Sequence, residues 1–137
     1  MRNLQTLDAW RRAQELAHRA YLLTLDPDLR RHFALIDQIR RAALSIPANV
    51  AEGYALGTTP QFIRGLKISL GSAMELYSHL NILGRLKLLR PDGVDEVTTL
   101  CDRVVALIIG LIRKLGSQPT SRIPHPASRI PSRARGE

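Results

Sequence analysis

The chain has 137 residues, of which 45% are apolar and 23% are charged. This is the length of a single domain, and the apolar fraction excludes a chain that is disordered throughout. Lys and Arg number 20 against 12 Asp and Glu, and the net charge of +8 favours phosphates or acidic proteins as partners over cationic ligands.

Cysteine content and hydropathy indicate the compartment. A single cysteine, Cys101, can form neither an intrachain disulfide nor a cysteine-based zinc site, which disfavours a secreted, disulfide-stabilised protein. The N-terminal residues lack the apolar core of a signal peptide, and the longest apolar-rich run, residues 104–112, is far shorter than the roughly 20 residues that span a bilayer. We expect a soluble, cytoplasmic protein without a membrane partner.

Glycine and proline residues divide the chain into four helical segments. The first is predicted for residues 6–24, with an apolar stripe of Leu7, Trp10, Ala13, Ala17, Tyr21 and Thr24 and an ion pair between Glu15 and Arg19. The second begins near residue 29, and its stripe is Phe33, Ile36, Ile39, Ala43, Ile46 and Val50. It passes Pro47, where the missing N–H predicts a kink or two abutting helices.

The third and fourth helices are predicted from a helix-capping threonine, a turn between the two helices and a long apolar stripe on each. A threonine cap followed by Pro60 begins the third helix, which ends near residue 89. Its stripe is Phe62, Leu66, Ser69, Ala73, Leu76, Leu80 and Leu83. After a turn at residues 90–93, the fourth helix covers residues 94–115, with a stripe of Val94, Val97, Cys101, Val104, Ile108, Leu111 and Leu115. The sequence predicts an all-α body, a four-helix bundle over residues 1–116.

Both of these helices carry a second apolar stripe. On the third helix it is Ile63, Leu70, Met74 and Tyr77, and on the fourth it is Val105, Ile109 and Ile112. Two adjoining stripes exceed what the core of one small bundle requires. We therefore expect these seven residues to form the interface of a homo-oligomer.

Residues 117–137 differ from the body in composition. They are rich in Ser, Pro and Arg, and the sequence Ser-Arg-Ile-Pro occurs twice in them. Frequent prolines block helices and interior strands, so this segment is predicted to be a flexible, disordered tail.

The sequence offers little support for catalysis, a metal or a cofactor. Glu75 and His79 are four residues apart, but they fall on the polar side of the third helix and lack the Glu-x-x-His pattern of carboxylate-bridged metal sites. Arg12 and His18 match the Arg-x5-His spacing of some helical ribonucleases, which is a weak signal in an arginine-rich helix. Cys101 lies on an apolar stripe and is interpreted as a buried filler. We expect a protein that is not an enzyme.

Small residues recur along the third helix. They are Gly65, Ser69, Gly71, Ser72 and Ala73, and they would let a neighbouring helix approach closely or admit a ligand. Close packing is the interpretation that we favour.

Basic residues of the first three helices are the candidate nucleic-acid contacts. They are Arg11, Arg12, Arg19, Arg40, Arg41, Arg64 and Lys67. Arg41 lies opposite the apolar stripe and should be exposed. One interpretation is an ordinary solubilising surface with an Asp37–Arg41 pair, and the other is a basic stripe that binds nucleic-acid backbone with little sequence preference.

Four segments of the sequence together resemble a known family. They are residues 7–10 (LDAW), residues 38–53 (QIRRAALSIPANVAEG), residues 62–64 (FIR) and residues 70–76 (LGSAMEL). They are similar to the bacterial four-helix-bundle family, also called the 23S rRNA intervening-sequence proteins, over roughly residues 4–115.

This resemblance implies an up-and-down antiparallel bundle that assembles as a homopentamer. Related proteins include the accessory variability determinants of diversity-generating retroelements, which are basic pentamers that bind nucleic acid and partner a reverse transcriptase. Arg40, Arg41 and Glu52 match the family pattern, in which no catalytic role is assigned to them. Glu52 is a candidate for a structural role, accepting from a basic side chain or from backbone amides.

Two hypotheses follow. The first is a non-enzymatic, homo-oligomeric bundle that binds RNA or DNA backbone through the basic faces of helices one to three and the arginines of the tail. The alternative is an oligomeric scaffold or adaptor for a protein partner, such as a reverse transcriptase, without direct nucleic-acid binding.

Overall fold

Four long helices make up a computed structural model of the protein, which describes residue 4 and residues 7–117. The helices are α1 (Asp8–Leu23), α2 (Phe33–Ala55), α3 (Thr59–Leu86) and α4 (Pro91–Ser117), with a 3-10 turn at Pro27–Leu29. Each helix packs on the next along the chain, and α1 also packs on α4. Short connections between successive neighbours make the arrangement antiparallel, which confirms the all-α, up-and-down four-helix bundle.

Local signals explain where the helices begin and end. The hydroxyl of Thr58 accepts from the amide of Gln61, so the predicted threonine cap of α3 is confirmed. At the other end of α3, Lys87 adopts a left-handed conformation with φ of 54° and terminates the helix before residue 89. Helix α4 begins at Pro91, three residues earlier than predicted, because proline is compatible with the first turn of a helix.

Pro47 lies inside α2, which continues through it as one helix of 23 residues. The expectation of two abutting helices is therefore wrong, and a kink at Pro47 stays a prediction. Pro47 is itself buried, and the helix continues through it although proline removes one backbone hydrogen bond. The tail predicted for residues 117–137 lies outside the described residues, except for Ser117, which belongs to α4.

The core follows the main stripes with two corrections. All seven stripe residues of α3 are buried, as are the first five of α4. On α1 the prediction missed Leu16 and Ala20, which are fully buried, because the core face is centred on them and the larger Trp10 and Tyr21 lie at its edge. Phe33, predicted for the core of α2, is 77% exposed because α2 begins at this residue.

Several residues in the second apolar stripes of α3 and α4 pack against the core of the same chain. The main stripes of the two helices meet where the Cys101 thiol donates to the Ala73 carbonyl, and the second stripes lie beside them. Leu70, Tyr77, Val105 and Ile112 are half-buried against the core, whereas Met74 is 47% exposed. The α3–α4 contact thus accounts for part of the extra apolar width, and an interface with another subunit stays a prediction. Within the described residues, no helix has the length and hydrophobicity needed to cross a bilayer.

Candidate nucleic-acid interface

The three predicted arginines of α1 are all engaged by carboxylates. Arg11 forms an ion pair with Asp8, and Arg12 Nη1 lies 3.2 Å from Glu15 Oε2. Arg19 contacts two acids, with Nε 3.4 Å from Glu15 Oε1 and Nη1 2.6 Å from Glu96 Oε1 of α4. The predicted Glu15–Arg19 pair is confirmed. Exposed pairs of this kind add little stability, but they offset the positive charge that a phosphate would meet.

Arg40 is used to join two helices. Its guanidinium carbon lies 4.4 Å from the centroid of the Tyr21 ring, and its Nε donates to the Thr24 hydroxyl at 2.8 Å. The Thr24 hydroxyl in turn donates to the Tyr21 carbonyl at 2.6 Å. A cation held by an aromatic face and an oxygen acceptor in this way fastens the end of α1 to α2. Arg40 therefore has a packing role, which the sequence did not reveal.

Arg41, Arg64 and Lys67 are the predicted cations that remain free. All three are exposed, and none has an ion pair within the described part of the chain. The predicted Asp37–Arg41 pair is wrong, because it is absent from the ion pairs of these residues, whereas the solubilising surface stays an open interpretation. The three cations lie on the outer side of α2 and α3, with Arg41 and Arg64 about 18 Å apart along the bundle axis by helical rise.

Between these cations the two helices approach each other closely. A Cβ on Gly65 would lie 2.6 Å from the Asn49 carbonyl oxygen and 2.8 Å from Gly53 Cα. The Ser69 hydroxyl donates to the Ile46 carbonyl at 2.7 Å. The close packing predicted for the small residues of α3 is thus confirmed at Gly65 and Ser69, whereas a Cβ on Gly71 would meet nothing within 4 Å.

The motif SIPANVAEG serves this same contact. Ser45 donates to the Ser72 hydroxyl at 3.0 Å, and Asn49 donates to the Ser45 carbonyl at 2.7 Å. Glu52 and Arg64 line a small cavity of about 190 Å³ at the edge of the contact. Among the described residues the Glu52 carboxylate has no hydrogen bond or ion pair, so the structural role expected for it is absent there.

A second group of cations, which the sequence analysis missed, lies at one end of the bundle. The α1–α2 and α3–α4 connections are both at this end, and they bring together Arg30, Arg31, Arg85, Lys87 and Arg90. All five are exposed, and no ion pair involves them in the region that the structure describes. The signal was present in the sequence, because an up-and-down topology places the first and third connections together.

The structure does not bring the ribonuclease candidates together. Arg12 lines a cavity between α1 and α4 beside Glu15 and Glu96, whereas His18 lines a groove between α1 and α2 with Trp10 and Tyr21. A spacing of six residues places the two side chains about 120° apart around the helix axis.

The other candidate chemistry has an ordinary structural setting. His79 Nε2 lies 3.4 Å from Glu75 Oε1 on one helix, and the described residues contain no group of three potential metal ligands. Cys101 is buried, as predicted. Burial, with a smaller contribution from the neighbouring Asp102 carboxylate, raises the pKa of its thiol to about 12, which keeps it neutral and unreactive.

Comparison with known proteins identifies a family and, among the solved structures, proteins of similar fold. The crystal structure of a protein of unknown function from the S23 ribosomal protein family of Bacteroides thetaiotaomicron is 24% identical. It matches with a TM-score of 0.70 over 77% of this chain and 98% of that chain, which shows a shared fold. No curated protein matches this chain significantly. The family model of the 23S rRNA-intervening sequence protein matches residues 5–110, and the chain belongs to that family.

Proposed function

We propose that this chain is a non-enzymatic, homo-oligomeric bundle that binds the backbone of RNA or DNA. The observation that carries the proposal is the difference between two sets of arginines. Those of α1 face carboxylates, whereas Arg41, Arg64 and Lys67 on α2 and α3 are exposed without a partner in the described chain. The interface therefore lies on α2 and α3 and leaves out the α1 arginines that the sequence had included.

Electrostatics favours this assignment. A phosphate that binds Arg12 or Arg19 must compete with Glu15, whereas Arg41 has no ion pair among the described residues that a phosphate would have to break. Backbone contacts of this type bring little sequence preference, because phosphates are the same in every sequence. Binding should weaken steeply as the salt concentration rises.

The experiment compares two variants that lose the same charge. Arg41 and Arg64 are changed to Gln in one, and Arg11 and Arg12 in the other. Binding to a labelled structured RNA and to a duplex DNA is measured at salt concentrations from about 50 to about 300 mM. Over this range the loss of affinity with salt reports the counterions released on binding. We expect the first variant to lower the salt slope by about 2 and the control to change it much less. Equal effects of both variants, or wild-type binding that is absent or indifferent to salt, would contradict the proposal.

Oligomerisation is proposed through the exposed parts of the second stripes of α3 and α4. The family resemblance implies a homopentamer, and the exposure of Met74 leaves apolar surface for a neighbouring copy. Changing Met74 to Glu should reduce the mass measured by light scattering, whereas the control Leu44→Glu, at a similarly exposed apolar residue of α2, should not. A monomeric wild-type protein would rule out this part of the proposal.

A second candidate is a scaffold for a protein partner, such as the reverse transcriptase that the resemblance implies. It is favoured by further exposed apolar side chains on α3, namely Ile68, Ile82 and Leu86. Reversing the charge of Arg41 separates the two candidates. If this variant no longer binds nucleic acid but still binds a purified reverse transcriptase, the first candidate is supported. If it loses only the binding of the reverse transcriptase, the second candidate is supported.

A further inference from the structure

One aromatic ring is placed differently from all the others. The chain's one Trp, three Tyr and two Phe residues all lie in the described part, and five of the six are buried or half-buried. Phe33 is 77% exposed, more than any other large apolar side chain of the described residues. A phenyl ring left in water forgoes the stabilisation that its burial would bring, so a partner that covers it would gain that free energy.

Exposed cations are concentrated at the end of the bundle that carries Phe33. Arg30 and Arg31 directly precede α2, and Arg85, Lys87 and Arg90 lie at the same end of the bundle, where α3 meets α4. Carboxylates are also present there, namely Asp26, Asp28 and Asp92. Asp26 already accepts a hydrogen bond from the Asp28 amide at 2.9 Å, and the first turn of α2 contains no acidic residue. Five exposed cations thus outnumber the three carboxylates of the two connections at this end of the bundle, and Asp37 lies one helical turn from Phe33 on α2.

We propose that this end of the bundle binds a single-stranded segment of nucleic acid, with a base stacked on Phe33 and neighbouring phosphates at the five cations. This inference rests on the proposed function and specifies which form of nucleic acid is bound. A flat ring beside unpaired arginines and a lysine is the combination with which proteins hold single strands, because any base can stack on it. In a duplex the bases are already stacked on each other and cannot cover the ring.

Charge complementarity favours nucleic acid over a protein at this surface. A protein that buried Phe33 would also have to place a carboxylate beside each of Arg30 and Arg31, because unpaired buried charges are costly. A single strand supplies a phosphate for each cation and a planar apolar surface for the ring. Both features of the surface are thereby satisfied by one ligand.

The test measures binding of a labelled 20-nucleotide poly(U) strand and a duplex DNA of about equal length, at one salt concentration, to four full-length proteins. These are the wild type, Phe33→Ala, Phe33→Trp and the control Leu44→Ala. We expect Phe33→Ala to weaken single-strand binding by about tenfold or more and duplex binding by less than about twofold. Phe33→Trp should restore single-strand binding, and Leu44→Ala should leave both unchanged, since Leu44 is an exposed apolar residue of α2 away from this end.

The outcomes separate this inference from the proposed function. If the wild type binds neither nucleic acid, the proposed function fails and the inference with it. If the wild type binds but Phe33→Ala retains full single-strand affinity, the inference alone is overturned. It is also overturned if Phe33→Ala lowers the oligomeric mass in light scattering, because the ring then contacts another protein chain.

Discussion

Helix α2 contacts its two neighbours in contrasting ways. Towards α3 it presents small residues, and its backbone at Gly53 lies so close to Gly65 that no Cβ fits between them. Towards α1 it makes a contact through a long side chain, in which Arg40 stacks on Tyr21, beside an open groove of about 470 Å³. We call these two helix contacts the α2–α3 seam and the α1–α2 seam. The first is made by backbone atoms and the second by side chains.

The difference shows which positions tolerate change. Backbone atoms in contact cannot rotate away from an added methyl group, so a substitution at the α2–α3 seam forces the helices apart. Long side chains can change rotamer, and an open groove leaves room for them to do so. The α1–α2 seam should accordingly lose less stability when one of its members is removed.

The largest expected effect is at the α2–α3 seam. Changing Gly65 to Ala would place a Cβ 2.6 Å from the Asn49 carbonyl oxygen, and we expect a loss of about 3 kcal/mol in the free energy of unfolding. Gly71→Ala on the same helix is the matched control, since a Cβ there meets nothing within 4 Å. It should stabilise the protein by about 0.5 to 1 kcal/mol through helix propensity. Urea denaturation of both variants measures the difference, and a neutral Gly65→Ala would show that the seam is not tightly packed.

An intermediate effect is expected at the α1–α2 seam. Changing Arg40 to Ala removes the contact with Tyr21 and the hydrogen bond to Thr24, which together should cost about 1 to 2 kcal/mol. The neighbouring Arg41→Ala should change stability by less than about 0.5 kcal/mol, because Arg41 is exposed and unpaired within the described residues. Thermal denaturation followed by circular dichroism compares the two, and equal shifts would remove the distinction between them.

The smallest effect concerns a single hydroxyl at the α2–α3 seam. Ser69 is fully buried and donates to the Ile46 carbonyl, so changing Ser69 to Ala should cost about 1 kcal/mol without creating a steric clash. Chemical denaturation measures it, and Ser78→Ala, at an exposed position of α3, is the control. A loss as large as that of Gly65→Ala would show that hydrogen bonding, and not backbone proximity, dominates this seam.

The buried faces of the helices and their local ion pairs could largely be predicted, because they depend on the spacing of residues along one helix. All seven residues predicted for the stripe of α3 between Phe62 and Leu83 are buried, since spacings of three and four residues place side chains on one face of a helix. The pairing of Glu15 with Arg19 followed from the same geometry. Phe33 was misplaced because its exposure depends on where the preceding 3-10 turn ends and α2 begins.

The candidate site was predicted less well than the helices. The second partner of Arg19 is Glu96, which is 77 residues away in sequence, and no local pattern connects the two. Arg40 and Arg41 are adjacent in the sequence, yet one is committed to α1 and the other faces solvent. Charge alone could not separate the arginines that are free from those that are occupied.

Helix count, helix faces and family membership were thus readable from residue order, because apolar spacing and short motifs are local properties of a chain. Which cations remain available, which glycines bring backbones together and which aromatic ring stays in water were decided by the packing of α2 between α1 and α3. Those properties depend on residues from different helices, whose proximity exists only once the apolar faces have met.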